Sequence, residues 1–319
     1  MAEQVGIGPR LELIEERAEV LGQYSPTIFL RHIPFPSQQE QYGTGAAQRF
    51  GTGSGEEIIP MVDAAAGQWL VQHLPWDTAF FGVDTYRLFT GLFATAISPD
   101  ALSQAAIALR TELAKRGPYY AFSIVPAEDI QLIQALTQGG WGLIETRLNF
   151  YRSTSEPLPV QPALVRAARP DEASHLGQVS AHARNGYDRF HADPWFGEKR
   201  AAAMLTRYAE AAVAGTYADV VLVPAEEGLA VDSFLAIGDT APDPAIADSG
   251  YSRVLLTAVG PKNRGWHVKL VAETVRRAAA NQLAYVLMTT QATNRAVFRT
   301  SEKLGFWLGN TTHVFACHS

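Results

Sequence analysis

One cysteine, Cys317, is all the thiol chemistry these 319 residues carry. A lone thiol closes no internal disulfide, which fits a reducing compartment. It sits in or just after the last apolar stretch, where a small core residue is expected rather than a nucleophile. An excess of positive charge is also missing: 26 Lys and Arg stand against 32 Asp and Glu, a formal net charge of −6. That balance argues against a general binder of nucleic acid or membrane surfaces, and leaves only a local basic patch open. No apolar run is long enough to span a bilayer, and no basic-then-apolar segment opens the chain. The expectation is a soluble, cytoplasmic protein without a metal, partnered neither by nucleic acid nor by membrane.

What is present is ample core material, with 47% hydrophobic residues. The length suits two modest domains or one large one. Residues 10–23 have helical spacing. Residues 35–57 are rich in Gly, Gln and Ser and read as a mobile loop or linker, so residues 1–57 are expected to be a helix and a flexible leader, or a flap ordered by substrate. A partial domain follows over 58–152. Its strand at 86–93 leads to Ser98, an N-cap with Pro99 behind it, and a helix that ends at Gly117-Pro118. A strand at 119–125, a helix at 128–138 stopped by Gly139-Gly140-Trp141, and a strand at 143–151 complete it. Pro157, Pro159 and Pro162 mark a linker over 153–162.

A second domain is expected over 163–319. It opens with a strand at 164–168 and helices at 171–182 and 196–214. Strands at 219–223 and 229–237 pair through Glu226-Glu227-Gly228. Then come a strand at 254–259, the turn Gly260-Pro261-Lys262-Asn263-Arg264-Gly265, a helix at 266–281, a strand at 284–288, Asn294, and a short helix ending in Ser301-Glu302-Lys303-Leu304-Gly305-Phe306. A last strand lies near 313–315. The two domains share one order: Asp129 lies eleven residues before Gly140-Trp141, as Asn294 lies eleven before Gly305-Phe306. Repetition on this scale outweighs a single motif. The first copy has Ala96-Ile97-Ser98-Pro99 where the second has its basic turn, so only the second is expected to bind a cofactor.

A basic, Gly-containing turn at a helix N-terminus is suited to phosphate, because the first-turn amides are unpaired and the helix dipole favours anions. The bland alternative is an exposed basic helix start. Cations at that end oppose the dipole unless an anion is present, which favours the binding reading.

The order strand, basic Gly turn, helix, strand, Asn, Leu-Gly-Phe, strand resembles the GNAT superfamily of acyl-CoA-dependent N-acyltransferases. The resemblance implies an α/β fold with a central mixed sheet flanked by helices, in tandem GNAT-like copies of which the C-terminal one is complete. It implies that acetyl-CoA is the acyl donor. Its pyrophosphate would lie on Lys262, Arg264, Gly265, Trp266 and His267. The pantetheine arm and the oxyanion would meet Thr257, Ala258 and Val259, with Asn294 at the thioester end. Two positions depart from the pattern. His267 stands where a small residue is usual, in the register starting at Lys262; a register from Arg264 would put His267 and Lys269 at the small positions. Ser301 stands where many members have a Tyr that protonates the thiolate. Ser301 is therefore the candidate at the leaving group, and His191 is the first candidate for proton work, beside Tyr187 and His313.

Two further segments resemble the two-copy GNAT enzymes that acetylate amino sugars on nucleotide carriers, the dTDP-fucosamine type. One is Tyr187-Asp188-Arg189-Phe190-His191-Ala192-Asp193. It implies acceptor contacts from Tyr187, Asp188, Arg189, Phe190 and Asp193; the alternative is a surface loop with internal ion pairs. The other runs from Trp76 to Gly82 and includes Phe81, for which core packing is the stronger alternative. The expected partner is a small-molecule amine, an amino sugar first, an amino acid, peptide or polyamine otherwise. A homodimer and a non-catalytic acyl-CoA binder or scaffold remain open.

Overall fold

A computed structural model describes residues 8–62, 66–183 and 185–319. The chain begins with four short helices: α1 (Leu11–Glu16), α2 (Ala18–Gly22), α3 (Phe35–Tyr42) and α4 (Thr44–Arg49). Strands β1 (Glu56–Pro60) and β2 (Gly67–His73), helix α5 (Pro75–Phe81), β3 (Asp84–Phe93), α6 (Pro99–Arg116), β4 (Tyr119–Pro126), α7 (Ile130–Gln138) and β5 (Gly142–Ser153) follow. Then come β6 (Val165–Ala167), α8 (Ala173–His182), α9 (Arg189–Ala192), α10 (Gly197–Val213), β7 (Val220–Pro224), β8 (Ser233–Thr240) and β9 (Tyr251–Val259). The chain finishes with α11 (Trp266–Ala280), β10 (Tyr285–Gln291), α12 (Arg295–Leu304) and β11 (Trp307–His318). The fold is mixed α/β, as expected. No helix among the described residues is long and apolar enough to cross a membrane.

The chain divides into two compact units, one running to Thr146 and including Asn310–Ser319, the other Arg147–Gly309. In the first the strands lie in the order β1-β2-β3-β4-β11; in the second, β5-β10-β9-β8-β7-β6. These bounds differ from 58–152 and 163–319 because the last strands are exchanged. β5 pairs antiparallel with β10 over Arg147–Ser153, and β11 pairs antiparallel with β4 over Thr312–His318. Residues 153–162 are no free linker either. Arg152, buried, donates to the Leu304 carbonyl at 2.6 Å and to the Pro157 carbonyl at 2.9 Å, and Leu158 and Val160 pack on the second core.

Each unit contains one parallel strand pair, and the two pairs are built alike. β3 and β4 run together as far as Leu88 opposite Ser123, and β9 and β10 as far as Val254 opposite Met288. The next residue is an extra one in both cases. Val71 faces Leu88 and Leu70 faces Thr90, which leaves Phe89 as a bulge; Ile237 faces Val254 and Ala236 faces Leu256, which leaves Leu255. A bulge bends its strand and increases the local twist, so the ladder ends there. The helix after each second strand is also capped alike. Asp129 Oδ1 accepts from the Leu132 amide at 3.4 Å, and Asn294 Oδ1 from the Val297 amide at 3.3 Å. Ser98 caps α6, accepting from the Ala101 amide at 3.2 Å.

Residues 35–49, expected as a linker, are helical. Their few apolar groups are replaced by buried polar bonding: Gln38 Oε1 accepts from Ser25 Oγ at 2.8 Å, and Gln39 Nε2 donates to the Ala18 carbonyl at 2.5 Å. β1 and β2, unread in the sequence, carry the core residues Ile59, Trp69, Leu70 and Val71. Phe81 lies on α5 in the first unit, buried and in edge contact with Phe80 at 5.1 Å between ring centroids. Cys317 lies in β11, buried, 3.8 Å from the Tyr119 hydroxyl. Burial pushes its thiol up to about 12, which leaves it protonated and inert near neutral pH.

Candidate functional site

Past Val254 and Met288 the strands β9 and β10 no longer pair, while β8 still holds β9 through Val259. In an antiparallel ladder every second residue turns its N–H and C=O away from the partner. On β9 beyond the bulge those groups therefore face the side that β10 has left. A cavity of about 880 Å³ opens there, inside the second unit. Leu255 to Val259 form one wall and Met288 to Gln291 the other.

The turn from Gly260 to Gly265 closes one end. It is pinned from below by Asn263, buried, whose Nδ2 donates to the Ala230 carbonyl at 2.9 Å and to Ser233 Oγ at 3.0 Å. Asp232 Oδ2 accepts the Lys262 amide at 2.9 Å, and a Cβ at Gly260 would strike that carboxylate. Gly265 has φ +92° and open space around it; a left-handed turn of this kind favours glycine and brings α11 in at its angle. No side chain caps α11, so the amides of its first turn remain for another acceptor.

Three cations line the cavity: Arg264 on the turn, and Arg299 and Lys303 four residues apart on α12. None of the three forms an ion pair with a carboxylate among the described residues. His267 completes this end. Its Nδ1 lies 2.9 Å from Thr300 Oγ1, and its Nε2 is buried with no partner. Burial lowers its pKa to about 4, so the imidazole is neutral. Asp188 is the one carboxylate among the described residues that line the cavity. There Asn185 Nδ2 donates to Gln291 Oε1 at 2.8 Å, and Asp188 Oδ1 caps α9 by accepting the amides of Phe190 and His191 at 2.9 and 3.1 Å.

The fold that carries this gap is shared with solved structures. A GCN5-related N-acetyltransferase from Sphaerobacter thermophilus is similar over 98% of this chain and 94% of that one, with 10% identity and a TM-score of 0.53. The fold is that of the GCN5-related N-acetyltransferases. A glucosamine N-acetyltransferase region of a fungal multi-domain GH3 β-N-acetylglucosaminidase is similar over 79% of this chain and 31% of that one, with 12% identity and a TM-score of 0.53. No family model and no curated protein matches the sequence.

Within this GNAT fold the expected cofactor residues divide. Thr257, Ala258, Val259, Arg264, Gly265, His267 and Asn294 all line the cavity. Lys262 is exposed and Trp266 buried, and neither is on its wall. Trp266 packs in the core below the turn, with the Lys269 ammonium 4.3 Å from its ring centroid. Ser301 is fully buried and donates to the Val297 carbonyl at 3.0 Å, one turn back on its own helix. That hydroxyl is not on the cavity wall either.

Of the acceptor candidates, Asp188 reaches the cavity. His191 Nδ1 lies 2.7 Å from Asp188 Oδ2, and its Nε2 is buried and unpartnered, behind the lining rather than in it. Arg189 stacks on the Phe190 ring at 4.5 Å, and Phe190 meets Phe196 edge-on at 5.1 Å. Asp193 accepts the Trp195 amide at 3.0 Å, so these three residues shape the loop from within. Tyr187 is 61% exposed, outside the lining. His313 sits on β11 in the first unit, 3.1 Å from Thr146 Oγ1. Sequence reasoning missed Arg299, Lys303, Asn185 and Gln291. The spacing of Arg299 and Lys303 puts both on one helix face and was the available signal.

Proposed function

We propose that the protein is an acyl-CoA-dependent N-acyltransferase built from two GNAT-like copies, with the coenzyme bound in the second. The observation that carries this is the set of unpaired cations, Arg264, Arg299 and Lys303, around an uncapped helix N-terminus at the mouth of the parted strands. A surface with three unneutralised cations in one cavity is suited to a polyanion, and the pyrophosphate and 3′-phosphate of coenzyme A supply one. The pantetheine arm then extends along Leu255 to Val259, pairing with the backbone groups that β10 leaves free.

In the reaction a neutral amine attacks the thioester carbonyl, forming a C–N bond and an oxyanion. The amides of β9 that face the gap stabilise this charge. Collapse breaks the C–S bond and releases the coenzyme thiolate, while the amine proton passes to water. The carboxamide-lined wall at Asn185 and Gln291, with Asp188 beside it, suits an acceptor rich in hydroxyl groups. An amino sugar on a nucleotide carrier is the acceptor we favour.

The buried Ser301 hydroxyl supports a second reading, a non-catalytic acyl-CoA binder, because among the described residues no phenol lines the cavity to protonate the thiolate. Titration calorimetry with acetyl-CoA, followed by a thiol-release assay over amino sugars, amino acids and polyamines, separates the two. Binding with turnover supports the transferase. Binding without turnover on any amine supports the binder. No binding refutes both.

A further inference from the structure

Helix α12 carries positive charge beyond what the cavity wall holds. Arg299 and Lys303 lie on that wall, and Arg295, four residues before Arg299, does not. Steps of four residues put the three on one face of the helix, over about 12 Å. All three are exposed, as are Lys262 and Arg264 on the turn before α11. None of these side chains forms an ion pair with a carboxylate among the described residues. The excess is local, because the chain as a whole has a net charge of −6. Arg295 also stands in the first turn of α12, where the helix dipole disfavours a cation unless an external anion offsets it. Phe298, between Arg295 and Arg299, is 41% exposed, with its ring edge-on to Phe150 at 5.8 Å between centroids.

We propose that this face docks an acidic carrier protein, whose phosphopantetheine arm brings the acyl group into the cavity. The inference rests on the coenzyme A reading given above, since arm and coenzyme end in the same pantetheine thioester. A nucleotide seated in the cavity meets the cations of its wall, and Lys262 and Arg295 lie off that wall. An acidic protein surface is wide enough to meet all of them. Charge complementarity of this kind steers the encounter and fixes the register, and Phe298 adds an aromatic contact of the sort enriched with Arg at protein interfaces. Nucleic acid is the poorer fit, because the acidic remainder of the chain repels it. The transfer step keeps its balance. The acceptor amine forms the C–N bond, the C–S bond breaks, the thiolate leaves on the carrier's arm, and the amine proton passes to water.

The test is titration calorimetry of the full chain, at low and at physiological salt, with a purified acidic acyl carrier protein in its holo form, its apo form without the arm, and coenzyme A in parallel. Wild type is expected to bind the holo carrier more tightly than the apo form, with an affinity that falls as salt rises. Arg295→Glu is expected to weaken the holo carrier by about tenfold and coenzyme A by less than about twofold. Glutamate suits the first turn of a helix, so that loss does not come from unfolding, and Arg295→Gln should fall between the two. Binding of the holo carrier without coenzyme A supports the inference and makes the carrier the donor. An equal loss of both ligands on Arg295→Glu, equal affinity for apo and holo forms, or a wild type that binds coenzyme A and no carrier overturns the inference and leaves the coenzyme reading standing. Failure to bind either ligand overturns both.

Discussion

Replacing Arg17 by Met is expected to destabilise the first unit more than any surface change. Arg17 Nη2 lies 2.5 Å from Asp129 Oδ2, with both side chains 2% exposed. Its Nη1 donates to the Gly91 carbonyl, and its guanidinium lies 3.9 Å from the Phe93 ring centroid. Tyr24 adds a hydrogen bond to the same Asp129 oxygen at 2.8 Å; burial first, and then the Asp129 charge, hold its phenol well above the usual range, so it remains a donor. Met fills much of the space and leaves Asp129 buried without its counterion. Breaking a pair of this kind costs about 3–5 kcal/mol. An exposed pair such as Arg49 and Glu40, at 53% and 74% exposure, is worth about 0–1 kcal/mol. The remedy should lie at Asp129. Arg17→Met with Asp129→Asn removes the stranded charge yet keeps the cap of α7, as Asn294 caps α12. Urea unfolding followed by far-ultraviolet circular dichroism should show the double variant more stable than the single. A cost below about 1 kcal/mol for Arg17→Met, or a double variant no better than the single, would refute the assignment of a buried ion pair.

Ser301→Ala should change acetyl transfer by less than about threefold, since its hydroxyl is bonded to Val297; a collapse of kcat with intact coenzyme binding would instead put that hydroxyl at the leaving group. Arg264→Ala and Arg299→Ala should each weaken coenzyme A binding by about tenfold and flatten its salt dependence; an unchanged Kd in calorimetry would show the cations to be bystanders. Hydrogen bonds from Arg166, opposed by burial and helped by the Arg169 amide, hold the Glu172 carboxyl at about 2. That depressed value contributes stability above the unfolded carboxyl pKa, and the contribution is lost as pH falls from about 4 towards about 2. Glu172→Gln should show a shallower acid unfolding profile over that window, and identical profiles would count against it.

Local structure was legible wherever a residue acts on its own neighbours. Ser98, Asp129 and Asn294 cap helices because a short acceptor sits just before an amphipathic run, and Gly305 ends α12 in a left-handed turn at φ +72°. The turn at Gly260 to Gly265 announced itself by its Gly, Pro and basic residues. The hairpin of β7 and β8 was legible from its turn, but the partners of β5 and β11 were not. β5 and β11 follow the same kind of helix in each copy, and nothing local says that each pairs with the strand of the other. The helices at 35–49 escaped because their stability lies in buried hydrogen bonds at Gln38 and Gln39 rather than in an apolar stripe. Ser301 lies behind the cavity wall for the converse reason. Ser301 and Leu304 are fully buried on the inward side of α12, so the spacing from Asn294 leads to a buried position there.

The repeat supplies a last argument for which gap would take a coenzyme, on the reading proposed above. In both units the parallel ladder ends one residue before a bulge, so both contain a gap of the same origin. Counted from the bulge, Thr90 and Gly91 stand where Leu256 and Thr257 stand in the second unit, and Asp129 stands where Asn294 stands. In the first unit these groups already have partners from the N-terminal segment. Arg17 takes the Gly91 carbonyl and Asp129, Tyr24 accepts from Thr90 Oγ1 at 3.1 Å, and Glu16 Oε2 accepts the Thr95 amide at 2.8 Å. Leu13, Ile14 and Leu21 anchor the segment in a core shared with Leu70 and Leu92. A ligand entering that gap would have to displace a buried ion pair and an apolar anchor, whereas in the second unit the cations and the strand edge are unengaged. Calorimetry is therefore expected to give a single coenzyme A per chain, lost on Arg264→Ala with Arg299→Ala and untouched by Tyr24→Phe. A second equivalent of bound coenzyme would mean that Arg17 and Tyr24 give way to it, and the reading of residues 10–24 as a permanent filling of the first gap would fall.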